Sequence, residues 1–282
     1  MKKINYVIGF ILLCLIHIAI AAPQTVTLQK GDKTVTVFGT IHVTKTEWLP
    51  LEKNIIDQLA QADALAVEMD VTDSKTVNET AQYMFTQGLA KKNLSGVLSA
   101  AEVNKMQKIL GPMASGMMQM RPFLVALAVS LQRTKEMGFT DKSVDVFLLE
   151  QAKARHKPVL ALETVAEQFS VFQQLSEAEE LEFLRSALNE EEQFNQEIQR
   201  TVKVWQNNDR QAAQYLLDEF KEKMPNLYQA MFNQRNQLMS RRIQKMNKQY
   251  PHLMMAVGAL HLYGDDSVIQ QLKNSGYRLV KD

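Results

Sequence analysis

A short phrase that recurs near both ends constrains this chain most. It reads Phe38-Gly39-Thr40-Ile41-His42 near the start and Val257-Gly258-Ala259-Leu260-His261 near the end. Each copy follows a short apolar run of strand character, Val35 to Phe38 and Leu253 to Val257. A glycine straight after a strand lets the backbone turn sharply at positive φ, because it carries no Cβ. The histidine three residues on is then delivered to the strand's carboxyl end, the edge where open α/β sheets bind ligands. Two matched histidines delivered this way predict one shared sheet and one shared site.

The residues between the two copies support that reading. Thr25 to Phe38 alternates in the β manner around a Lys30-Gly31-Asp32-Lys33 turn, which predicts a hairpin. Trp48 to Ala62 carries Leu51, Ile55, Ile56 and Leu59 at helical spacing. Ala64 to Val67 is a short buried-type strand, so a strand–helix–strand rhythm follows. Asp73 to Phe139 is helical in pattern, with Ser99 and Glu102 spaced as a capping box, and Asp141 to Ala154 predicts another helix. Pro158 to Leu162 is a strand that ends on Glu163. Ser176 to Tyr250 is polar, rich in Glu and Gln, and helical throughout. Strand Leu253 to Val257, helix Asp266 to Asn274 and strand Tyr277 to Val280 close the chain. The predicted fold is α/β, a mixed and largely parallel sheet flanked by helices. It forms a single domain over residues 22–282 with a helical insertion at about 176–250.

Residues 1–21 read as a secretory signal. Lys2 and Lys3 precede an apolar run from Ile8 to Ile20, and Ala19-Ile20-Ala21 offers the small residues of a cleavage site. An uncleaved anchor is the competing reading, although the run falls short of the ~20 residues that span a bilayer. Leu13 before Cys14 does not suit a lipid-attachment signal. Export to the periplasm or the medium is therefore expected, with no stable membrane span after cleavage. Cys14 is the only cysteine, so the mature chain has neither a disulfide, a thiolate metal site nor a cysteine nucleophile. Without Lys2 and Lys3 it carries 30 basic and 31 acidic residues, and no basic field attracts nucleic acid.

His42, Glu68, Glu163 and His261 share one grammar, each following a short apolar strand. If those strands are parallel neighbours, all four lie along one sheet edge. Two imidazoles and two carboxylates there suit a divalent ion such as zinc, manganese or cobalt. Such an ion activates water and polarises a carbonyl, and a spare carboxylate can act as general base. Each residue also has an ordinary explanation. A histidine after a strand is often a loop residue, and Glu68 and Glu163 could complement helix dipoles. His156 and His252 sit in turn-like contexts and are expected in solvent, while the Met113 to Met120 cluster reads as core or groove filling. Asp145, Arg235 and Asn236 fall on predicted helices, where surface ion pairs are the usual role.

At this point the chain resembles the TraB/PrgY/GumN family, which includes the animal Tiki Wnt-cleaving proteases. The matching pieces are Gly39-Thr40-Ile41-His42, Val67-Glu68-Met69-Asp70, Leu162-Glu163-Thr164 with Gln168, Arg235-Asn236 and Val257 to Leu262 with Gly264. The family is similar in fold to the erythromycin-esterase and ChaN-like groups. The resemblance implies a metal-dependent hydrolase, in peptidase style, with His42, Glu68 and His261 as metal ligands. Glu163, Asp145, Arg235 and Asn236 occupy further motif positions. Arg235 there is expected to bind a substrate carboxylate or an oxyanion. Two alternatives stand beside this expectation. One is a metal-free esterase-like hydrolase, with His42 as base and Glu68 orienting it. The other is a non-catalytic protein that captures a peptide, pheromone or small ligand.

Overall fold

The computed structural model describes residues 25–140, 142–189 and 191–281, so the predicted signal at 1–21 lies outside the described residues. Six strands form one sheet: β1 (Thr25–Lys30), β2 (Lys33–Thr40), β3 (Ala64–Val67), β4 (Val159–Ala161), β5 (His252–Gly258) and β6 (Arg278–Lys281). Their order is β4-β3-β5-β2-β1-β6. The four neighbours β4, β3, β5 and β2 are parallel, whereas β1 pairs antiparallel with both β2 and β6. The fold is the mixed, largely parallel α/β arrangement that the sequence predicts.

Burial explains the strand patterns. β3 is buried at every position and β5 at its five central ones, as strands covered on both faces require. β1 alternates, with Val26 and Leu28 inward and Thr25 and Thr27 half-buried, because only one of its faces is packed. One side of the sheet packs on Leu217, Phe232, Met239, Ile243 and Leu272 from the C-terminal helices. The other packs on Ile55 and Leu59 of helix Lys53–Gln61 and Leu148 and Leu149 of helix Val144–Ala154. Helices Ala100–Leu110, Pro122–Glu136 and Glu177–Asn189 build a separate apolar cluster around Met106, Val125, Val129 and Leu184. The polar segment after Ser176 thus divides its helices between this lobe and the sheet.

Helix boundaries follow their caps. Ser99–Glu102 and Ser176–Glu179 form the expected reciprocal bonds, Asp209 caps helix Arg210–Lys223, and Pro225 opens the next. Three predicted helices start later than expected. Pro50 delays the first to Lys53, whereas Ser143 and Ser267 cap helices that begin at Val144 and Val268.

Candidate functional site

The four parallel strands end side by side, and each passes a polar residue to the same edge. Gly39 pairs with Val257 and Thr40 with Gly258, while Val67 pairs with both Ala256 and Ala161. Past the strand ends, Leu162 N–H donates to Val67 O at 2.7 Å and Glu163 N–H to Glu68 O at 2.9 Å. His42, Glu68, Glu163 and His261 are therefore brought together by parallel register, as their shared grammar predicts.

The glycines act differently from the expectation. Neither Gly39 nor Gly258 is among the positive-φ glycines, and Gly258 sits at φ −49°, ψ 134°. Close approach is the reason at Gly39, whereas at Gly258 a Cβ would meet only ordinary contacts and would occupy space between side chains. A Cβ on Gly39 would stand 3.1 Å from Ala259 Cα, against the backbone of the second phrase. A Cβ on Gly258 would stand 3.4 Å from Glu68 Oε1, 3.5 Å from His261 Cδ2 and 3.9 Å from His42 Nε2. Gly258 is thus the floor of a cradle on which three side chains converge.

Both imidazoles are held from behind. His42 Nδ1 lies 3.0 Å from Asp145 Oδ2, and Asp145 Oδ1 accepts from the Thr40 hydroxyl at 2.6 Å. His261 Nδ1 lies 2.6 Å from Asn236 Oδ1, and Asn236 Nδ2 donates to Asp266 O at 2.9 Å. That second bond fixes which end of the amide accepts, so His261 carries its proton on Nδ1 and a lone pair on Nε2. Asp145, rather than Glu68, is the group that orients His42. Its negative charge lifts the ring's pKa to about 9 against the cost of desolvation. With 65% of the side chain exposed, water partly screens that field. Burial and the Arg235 charge push His261 the other way, to about 3, so this ring is neutral.

Arg235 and Asn236 do not form surface ion pairs, whereas Asp145 does pair with the exposed His42 ring. Arg235 and Asn236 are buried, at the start of helix Arg235–Met246 directly after a π-helical turn, Gln229–Gln234. Arg235 donates from Nε to Glu163 Oε1 at 2.8 Å and from Nη2 to Glu163 Oε2 at 2.6 Å and Glu68 Oε2 at 2.7 Å. Its Nη1 lies 3.5 Å from His261 Nε2. Two carboxylates thus occupy Nε and Nη2, and the Nη1 edge is left facing His261. Burial opposes the Glu68 anion, but Arg235, the imidazoles and a 2.7 Å bond from Gly258 N–H bring it down to about 2. Burial raises Glu163. Neither glutamate caps a helix, since Asp73 and Thr164 do so instead. His156 and His252 are exposed, as expected.

A cleft of about 480 Å³ opens over this edge, lined by His42, Glu68, Arg235 and His261. Its walls include Phe169, Phe172, Trp205, Met231, Phe232 and Leu260. Asp145, Glu163 and Asn236 stand behind the lining and act through His42, Arg235 and His261. The sequence reading missed Trp205, whose indole N–H donates to Gly39 O at 3.1 Å, and Phe232, which packs 5.3 Å from the His261 ring. It also missed Asp266, which accepts from Asn233 at 2.7 Å and Tyr228 at 3.2 Å. The available signal was a tryptophan and a Met-Phe pair inside otherwise polar helices.

Comparison with known proteins places the chain among relatives of like length. A model of the TraB/PrgY/gumN family matches residues 25–281. The uncharacterized protein YbaP of Escherichia coli (strain K12) is 27% identical over 248 residues, covering 86% of this chain and 89% of its own. YbaP of Shigella flexneri gives the same figures.

Proposed function

This chain belongs to the TraB/PrgY/gumN family, and on that premise we propose that it is an exported, metal-dependent hydrolase acting on peptides. One observation carries the reading. Both imidazoles have Nδ1 engaged from behind, by Asp145 and Asn236, so both Nε2 atoms turn to the cleft beside the Glu68 carboxylate. Outer hydrogen bonds of this kind orient metal-ligating histidines.

The donor types at this edge are those that divalent ions take. His42 Nε2, His261 Nε2 and Glu68 Oε1 offer two nitrogens and an oxygen above a glycine that leaves the space a Cβ would fill. Manganese, cobalt and zinc all accept such ligands. When bound, the ion supplies a water of pKa about 7 and polarises the scissile carbonyl. The protein does the rest. Asp145 and Asn236 keep the two Nε2 lone pairs aimed at the cleft. Glu163 grips Arg235 by two bonds, and its Nη1 edge, 3.5 Å from His261 Nε2, would stabilise negative charge developing on a carbonyl oxygen held beside that ring.

The test is elemental mass spectrometry on the exported protein purified without chelator, beside a His42→Ala/His261→Ala double variant. Near-stoichiometric metal in the parent alone, with peptide hydrolysis that a chelator abolishes, is the expected result. A double variant that binds metal equally would overturn it. A metal-free hydrolase is the second reading. It is favoured by Arg235 Nη1 lying 3.5 Å from His261 Nε2, and by no three His, Asp or Glu among the described residues forming a closed ligand group. In that version His42 takes the proton of water only once it has lost its own, which Asp145 helps to hold, so activity should rise with pH toward about 9. Hydrolysis that survives chelation would select it.

A further inference from the structure

Residues 263–267 join the 3-10 helix that carries His261 (Ala259–Leu262) to the last helix, Val268–Asn274, and one of them is gripped from three directions. Asp266 Oδ1 accepts from Asn233 Nδ2 at 2.7 Å, its Oδ2 from the Tyr228 hydroxyl at 3.2 Å, and its backbone O from Asn236 Nδ2 at 2.9 Å. All three donors come from the helical stretch that also carries Arg235. Tyr228 and Asn233 lie five residues apart, which in an α-helix would set them about 140° apart around the axis. The π-helical turn Gln229–Gln234 closes its bonds from i to i+5 and so brings the two toward one face.

The polarity of these bonds runs one way. A carboxylate and a backbone carbonyl can only accept, so every partner of Asp266 must turn a donor toward it. Asn233 does so with its Oδ1 held by Gln237 Nε2 at 2.8 Å, and Asn236 does so by turning its Oδ1 to His261 Nδ1 at 2.6 Å. Rotating the Asn236 amide by half a turn would set its oxygen against Asp266 O. It would also move the His261 proton to Nε2, where a metal needs the lone pair. Resting on the two-histidine site of the hydrolase reading, we propose that Asp266 is a positioning residue, which selects the His261 tautomer through Asn236. It acts from outside the cleft lining. The π turn lets one carboxylate hold both Tyr228 and Asn233, and that grip fixes where Asp266 O meets Asn236.

The test reads the His261 ring by long-range proton–nitrogen NMR. The protein carries isotope-labelled histidine, is stripped of metal with a chelator, and is held well above the ordinary imidazole range of pH. The parent should show a protonated Nδ1 and a bare Nε2. Asp266→Ala should move both nitrogens toward the averaged values of a ring that exchanges tautomers. It should also weaken zinc binding about tenfold, the lower end of what outer partners of metal-binding histidines contribute. Asp266→Asn keeps an acceptor for Asn233 and a partner for the Tyr228 hydroxyl, so it should restore the parent's spectrum and affinity. Asn233→Ala, on a different element, should reproduce the effect of Asp266→Ala and carries the test if that variant fails to fold. Asp265→Asn, at the exposed neighbour, should change nothing. A parent protonated on Nε2, a His261 spectrum unmoved in both alanine variants, or an Asp266→Asn as impaired as Asp266→Ala would each overturn the proposal. The spectrum is read without metal, so the two readings fail separately. If it shifts as expected while the parent binds no zinc, the metal reading falls and the role of Asp266 stands.

Discussion

The two glycine–histidine phrases look alike in sequence, and the folded protein uses them in opposite ways. His42 is 65% exposed and backed by the Asp145 carboxylate, whereas the His261 side chain is 7% exposed and backed by the Asn236 amide. One ring is driven basic and the other is held neutral. The glycines diverge as well, since Gly39 admits another stretch of backbone and Gly258 admits side chains. A repeated motif therefore fixes placement, and the partner behind each residue fixes its role.

The strongest way to break the contrast is to remove the group that both halves share. Arg235→Met leaves Glu68 and Glu163 buried without their cation and should cost about 3–5 kcal/mol, read as a lowered denaturant midpoint at unchanged slope. An unchanged midpoint would show that the two carboxylates do not depend on this guanidinium. Asp145→Asn comes next. It gives His42 the same kind of partner as His261 and should cut hydrolysis by about 10²-fold or more, while the fold survives because the site is partly exposed. NMR titration should then show the His42 pKa falling, because the negative charge that raises it is gone.

The glycines offer a paired test of intermediate size. Gly39→Ala pushes a Cβ against Ala259 backbone and should destabilise by about 1–3 kcal/mol. Gly258→Ala meets only ordinary contacts and should change stability by less than ~0.5 kcal/mol, yet fill the cradle and abolish metal uptake. The reverse outcome, a stable Gly39→Ala and an unfolded Gly258→Ala, would invert the assignment. Asn236→Asp sharpens the contrast further. A carboxylate at His261 should raise that ring's pKa and make its NMR titration resemble that of His42.

The smallest effect lies outside the pair of histidines, where Arg242 binds Glu167 through two bonds at 2.7 Å and also donates to Leu162 O at 2.6 Å. Hydrogen bonds from Arg242 lower the Glu167 pKa to about 2. The depressed value makes this pair stabilising above the ordinary carboxylate range, with the contribution lost as pH falls from about 4.5 toward about 2. Glu167→Gln should flatten that limb of the stability curve and leave stability at low pH nearly unchanged.

Local sequence determined the strands, most helix caps and the edge on which the site stands. Buried parallel strands require unbroken apolar runs, and a residue placed directly after such a run must emerge where its neighbours' strands also end. His42, Glu68, Glu163 and His261 were legible for that reason. The tertiary structure alone decided what surrounds them. Arg235 meets Glu68 across 167 positions and Trp205 meets Gly39 across 166, so no local pattern could tell these from surface residues on polar helices. The direction in which a helix presents Arg235, Asn236 or Asp145 depends on which face the sheet buries. The roles of the two histidines follow from that, because imidazole basicity is set by charge and solvent within a few ångströms and not by the phrase that carries the ring.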